Sequence, residues 1–141
     1  MAEPEGTFSN ERIKHLEFIQ AVVTRLGNGS FLIKGWTLTV VSAFLGVSIS
    51  TLKWQVALTA LVPAAGFWLL DSYFLRQERL FRRLYDDVRD PGAPVEPFSM
   101  DTTPYIGDTG WRPVLTSRTI LGFYGVLALV SVIVSLVTLG R

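Results

Sequence analysis

Arg76, Arg79, Arg82 and Arg83 recur at helical spacing, and the chemistry that arginine offers is recognition of anions. Its planar fork of donors matches phosphate and carboxylate. Beside a membrane, such a band attracts anionic lipid headgroups at about 1 kcal/mol per basic residue. It can equally hold a soluble phosphate ligand such as a nucleotide, or it is topogenic charge that pairs along its own helix. Asp71 lies just upstream, where an apolar run ends. An ionisable residue at such an edge is a functional candidate; the plainer reading is an ion pair with Lys34 or Arg76. Asp86-Asp87-Val88-Arg89-Asp90 spells the DDxxD motif that holds magnesium diphosphate in isoprenoid-synthesising enzymes. Those enzymes need a large helical cavity and a second metal-binding motif, and this chain offers neither. A solvated helix end, its acids paired with Arg82 and Arg83, is expected instead. His15 falls on a polar face, where an imidazole titrates near neutral pH, but a lone exposed histidine usually has no task.

Little else could do chemistry. The chain has no cysteine and one histidine, which excludes thiolate and multi-histidine metal sites within one chain. No hydroxyl has a recognisable base partner, and no glycine-rich phosphate loop occurs. The expectation is a protein that is not an enzyme and carries no cofactor or metal. Basic and acidic residues nearly cancel, 13 against 12, so net charge says nothing about nucleic acid and its distribution says more; no nucleic-acid partner is expected.

The elements that position these residues are dominated by apolar runs. Residues 119–139 (TILGFYGVLALVSVIVSLVTL) carry no charge and no proline. At about 1.5 Å per residue, that run crosses the roughly 30 Å hydrocarbon core as one helix. Residues 31–52 form another candidate span, with Lys34 placed to snorkel and Trp36 suited to the interface. Ser42, Gly46 and Ser50 are spaced four apart, a small-residue stripe that permits close helix packing. Lys53 and Trp54 mark a tight turn. Residues 54–74 then return as the second arm of a hairpin, with Pro63 expected to kink it and Ala60, Ala64, Ala65 and Gly66 as a second small face. The same helix is expected to continue through residues 75–90 as a charged cytoplasmic extension. Asp90-Pro91-Gly92 ends it.

Two polar segments complete the chain. Residues 1–8 read as a disordered acidic leader. Residues 9–27 show an amphipathic helix, with Ile13, Leu16, Ile19, Val22, Val23 and Leu26 at helical spacing and Ser9 or Asn10 as N-cap. It either packs on the protein's own helices or lies on the bilayer surface. Glycines in residues 27–30 (GNGS) are expected to break it. Residues 91–118 lack a sustained period and read as a cytoplasmic loop, anchored by Phe98, Tyr105 and Trp111. The fold class is an all-α membrane protein with three transmembrane helices.

The stretch from Phe67 to Arg89 (FWLLDSYFLRQERLFRRLYDDVR) resembles one from small bacterial inner-membrane proteins in which a hairpin runs into a charged cytoplasmic helix. Proteins of similar build include oligomeric inner-membrane proteins and membrane effectors of anti-phage systems. The small-residue stripes and the protruding cytoplasmic helix favour a homo-oligomer in contact with membrane lipids, its spans forming or gating a pore; the resemblance implies control by a cytoplasmic protein or nucleotide ligand. The alternative is a non-conducting scaffold or accessory subunit that docks a cytoplasmic partner.

Basic residues sort by side. The N-terminal segment holds Arg12, Lys14, Arg25 and Lys34, and the central segment holds Arg76, Arg79, Arg82, Arg83, Arg89, Arg112 and Arg118; opposite them are Lys53 and Arg141. The positive-inside rule puts the N-terminus and the central segment in the cytoplasm and the hairpin tip and C-terminus outside. A phosphatase reporter after Arg141 should therefore be active in the periplasm, and one inserted within residues 91–97 silent. The reverse pattern would end the three-span topology.

Overall fold

The computed structural model describes residues 9–140; the leader at residues 1–8 lies outside the described residues. The described chain is all-helical, and three of its helices are long and apolar enough to cross a membrane.

Helix α1 (Asn10–Thr51) opens on Ser9, whose side chain accepts from the Arg12 amide at 3.2 Å. Its 42 residues make a rod of about 63 Å. The expected break at residues 27–30 is absent: the helix runs straight through both glycines. Glycine costs about 1 kcal/mol in a helix interior relative to alanine, but packing decides otherwise here. A Cβ on Gly29 would stand 2.5 Å from the Phe74 ring, so this glycine is the notch that admits Phe74 from the neighbouring helix. The helix stops at Leu52, which adopts the left-handed conformation (φ 52°). There the Lys53 amide donates to the Ser48 carbonyl at 3.2 Å, and Ser48 Oγ donates to the Lys53 carbonyl at 3.0 Å.

The chain returns through α2 (Trp54–Thr59) and α3 (Leu61–Arg89). The two adjoin at Ala60, which keeps helical angles (φ −59°, ψ −24°). Pro63 has no N–H to offer the Thr59 carbonyl, so the hydrogen-bond ladder lapses there while the rod continues. Asp90 turns extended before Pro91 and ends α3. α1 and α3 run antiparallel. Ile19 packs with Leu84 and Val88, Ser30 meets Asp71, and Val41 packs with Ala60 and Ala64.

Residues 90–117 are more ordered than a loop. They contain a 3-10 turn (Thr103–Tyr105) and the short helix α4 (Trp111–Leu115), and they are strapped to the polar half of α1 and α3. His15 Nε2 donates to the Ser99 carbonyl at 2.7 Å, and Phe98, at φ 61°, packs its ring 5.9 Å from His15 and 6.2 Å from Phe18. Tyr105 donates its hydroxyl to Asp87 at 2.7 Å. Burial, and then the hydrogen-bonded Asp87 carboxylate, push that phenol up to about 12. The link therefore stands below the ordinary tyrosine range and is lost only as pH climbs through that higher value. His15 is not the exposed residue its position implied. It shares a face with Ile19 and is buried under the strap.

Helix α5 (Arg118–Leu139) packs against the other long helices. Val41, Ala60, Ala64 and Leu127 form one core, and Ile19, Leu84 and Val88 the other. The seam of the apolar half is built of small residues: Thr37 and Ser48 from α1, Ala57, Ala60 and Ala64 from α2 and α3, and Ser131, Ser135 and Thr138 from α5 are buried. Ser42, Gly46 and Ser50 are not in it. They face outward, and nothing lies within 4 Å of a Cβ placed on Gly46. Ala65 and Gly66 also face outward.

The Gly29 notch is testable. Gly29→Ala should destabilise the detergent-solubilised protein by about 1–3 kcal/mol through overpacking against Phe74, read as a lower thermal midpoint. Adding Phe74→Leu should recover most of the loss. An alanine variant as stable as the wild type would show that the ring moves freely.

Candidate functional site

Between the two apolar cores sits a polar node. Ser30 and Lys34 lie one turn apart on α1, so both reach the same point on α3. That point is Asp71, which has no exposed surface. Ser30 Oγ donates to Asp71 Oδ1. Lys34 Nζ donates to Asp71 Oδ2 at 2.5 Å and to Ser30 Oγ at 2.8 Å. Of the two partners expected for Asp71, the structure selects Lys34. Both carboxylate oxygens are taken, so the node is an ion-pair lock rather than an open acid–base site.

Hydroxyls surround it. Thr37 is fully buried and donates back to the Ile33 carbonyl at 2.7 Å, and the buried Ser72 donates to Trp68 at 2.7 Å. Tyr124 comes from α5, its ring edge-on to Phe123 at 5.1 Å. Its buried hydroxyl stands beside Thr37 and Asp71 without closing a hydrogen bond to either. Ser30 and Tyr124 were not singled out from sequence. The signals were there: Ser30 precedes Lys34 by four, and Tyr124 is the one phenol in the 119–139 run.

The arginine band divides. Arg76 turns away from Asp71: its Nε donates to the Thr109 carbonyl at 2.9 Å, and its guanidinium lies 4.8 Å over the Trp111 ring. Arg79 donates to the Pro113 carbonyl at 3.3 Å. Arg82 is held by Glu78, four residues before it on the same helix, at 2.6 and 2.9 Å. Arg83 is exposed and lines a cleft of about 290 Å³ with Arg79, Arg82, Asp86 and Asp108. Two of the four arginines thus fasten the strap.

The acids of the DDxxD run disperse. Asp87 accepts from Tyr105, and Asp90 Oδ1 accepts from the Gly92 amide at 3.0 Å. The expected pairing of Asp86 with Arg82 and of Asp87 with Arg83 does not form: neither is an ion pair within 4.0 Å. Glu78 outcompetes Asp86 because an acid N-terminal to its arginine suits the rotamers of a helix better than the reverse order. Pro63 lies in the first turn of α3 and takes no part in the node.

No protein-family model, curated protein or solved structure matches the chain.

The ion pair has a signature of its own. Lys34→Met alone strands a buried carboxylate and should cost about 3–5 kcal/mol. The double variant Lys34→Met with Asp71→Leu removes both charges and should recover most of that loss. Thermal unfolding in detergent measures both; a double variant no more stable than the single would show that the pair is not coupled.

Proposed function

We propose that this chain is a multi-pass protein of the bacterial inner membrane that works as a homo-oligomer, its spans forming or gating a pore controlled from the cytoplasmic side. The membrane reading is supported by the outer surface of the three long helices. Phe31, Leu32, Trp36, Leu38, Val47, Ile49 and Leu52 of α1 are exposed, as are Val62, Leu69 and Leu70 of α3 and Leu121, Leu129, Ile133 and Leu136 of α5. On α1 that band is about 33 Å tall, close to the hydrocarbon thickness of a bilayer. The polar halves of α1 and α3, with the strap, then stand in the cytoplasm as a braced stalk.

The observation that carries assembly is the outward stripe of Ser42, Gly46 and Ser50, left unused while other small residues build the intrachain seam. Small residues on a lipid-facing surface let a second helix approach closely. Val41, Ala60, Ala64 and Leu127 fill the centre of a single chain, so conduction requires several chains. The same filled interior favours a second reading, a non-conducting scaffold that docks a cytoplasmic partner through residues 72–118. Membrane action in anti-phage defence is the setting that the resemblance implies for the first reading.

Gly46→Leu adds bulk to the stripe without adding polarity. Crosslinking and native mass spectrometry should show one dominant wild-type oligomer, shifted by this variant toward smaller species. A monomeric wild type would remove the self-assembled pore. Conductance of the reconstituted oligomer in planar bilayers separates pore from scaffold.

A further inference from the structure

We infer that the corner between α4 and α5, carrying Trp111, Arg112 and Arg118, is a binding site for the phosphate of an anionic lipid in the cytoplasmic leaflet. The inference rests on the membrane placement proposed above and reassigns the lipid contact from the α3 arginines. Depth excludes the outer part of that band. The exposed Leu69 and Leu70 put the hydrocarbon edge near Asp71. Arg82 and Arg83 lie about 17 Å farther along the helix axis, whereas the headgroup layer of one leaflet is only roughly 5–8 Å thick. Arg76 and Arg79 are nearer, but the Thr109 and Pro113 carbonyls and the Trp111 ring occupy them.

The α4–α5 corner is at the right height and is held there. Trp68 Nε1, one turn above Asp71, donates to the Leu115 carbonyl at 3.3 Å. Arg76 and Arg79 grip the segment at Thr109 and Pro113. Val114 is fully buried beneath α4, so its opposite side faces outward. That side presents Arg112, which is exposed; Trp111, 46% exposed and one turn before Val114, lies under the Arg76 guanidinium at 4.8 Å. Arg118 opens α5 and is also exposed. Neither guanidinium forms an ion pair or hydrogen bond among the described residues. Two exposed guanidiniums without a protein partner, on a segment held at this height, suit a lipid phosphodiester, whose oxygens each fork can take bidentately, and the Trp111 indole of the same segment suits the headgroup boundary. A free phosphate offers the same oxygens but no acyl chains to hold it at this depth.

The test uses full-length protein in detergent, with phosphatidylglycerol retention against phosphatidylcholine read by native mass spectrometry. Wild type should retain phosphatidylglycerol selectively. Arg112→Gln with Arg118→Gln should weaken retention about tenfold or more, while Arg82→Gln with Arg83→Gln should leave it unchanged. Arg112→Lys with Arg118→Lys keeps the topogenic charge and should retain part of the binding. Unchanged retention in the Arg112/Arg118 glutamine variant, or an equal loss in the Arg82/Arg83 variant, overturns the assignment. Displacement of the lipid by millimolar inorganic phosphate overturns the lipid as occupant and leaves a free-anion site. The reporter topology and oligomeric state of the same variants are read separately. Selective retention by a monomer would sink the pore while sparing this site; an inverted topology would sink the membrane placement itself.

Discussion

The buried pair of Lys34 and Asp71 is the constraint on which the arrangement of the long helices depends. A carboxylate with no exposed surface is tolerable only when its charge is matched and its lone pairs are filled. Lys34 and Ser30 do both. Because the two donors are one turn apart on α1, sliding α3 along α1 by even one turn would strand the carboxylate. The pair thereby sets the register that brings Ile19 to Leu84 in one half and Val41 to Ala64 in the other. Buried ion pairs seldom add much net stability; specifying one register among several apolar alternatives is the use that suits this position.

Register also explains the glycine. With Asp71 tied to Ser30, Phe74 lies one turn farther along α3 and meets α1 at Gly29. A side chain there would meet the Phe74 ring, so the ring or the helices would have to shift. The residue that looks like a helix breaker is therefore what lets two helices approach. The lapse at Ala60, by contrast, has a purely local cause in the missing Pro63 amide.

The strap gives the arginines a different task from the one their spacing announces. Arg76 and Arg79 hold residues 109–113, Tyr105 ties to Asp87, and His15 ties to Ser99. These are long-range contacts from side chains to distant backbone or acid, which braces the polar halves of α1 and α3 into one unit with the strap. Such bonds are individually modest, about 0.5–1.5 kcal/mol between neutral groups and about 1.5–3 kcal/mol where one partner is charged. Their number and dispersion along the segment keep it from behaving as a free linker.

The sequence by itself determined the all-helical class, the three apolar runs, the hairpin turn at Lys53, an N-cap at Ser9 or Asn10, and the end of α3 before Pro91. Each follows from local composition or from one residue's backbone chemistry. It also narrowed the partner of Asp71 to two residues. Only the tertiary structure chose Lys34 over Arg76, carried α1 through Gly27 and Gly29, buried His15, and turned Ser42, Gly46 and Ser50 outward. These outcomes depend on which faces of the helices meet. Helical periodicity shows that a residue lies on a stripe but not which stripe faces a neighbour, because in an apolar helix every face is compatible with burial. The arginines show the same limit: their spacing announces a cationic band, but the backbone carbonyls that occupy two of them come from 33 and 34 residues downstream, beyond the reach of any local pattern.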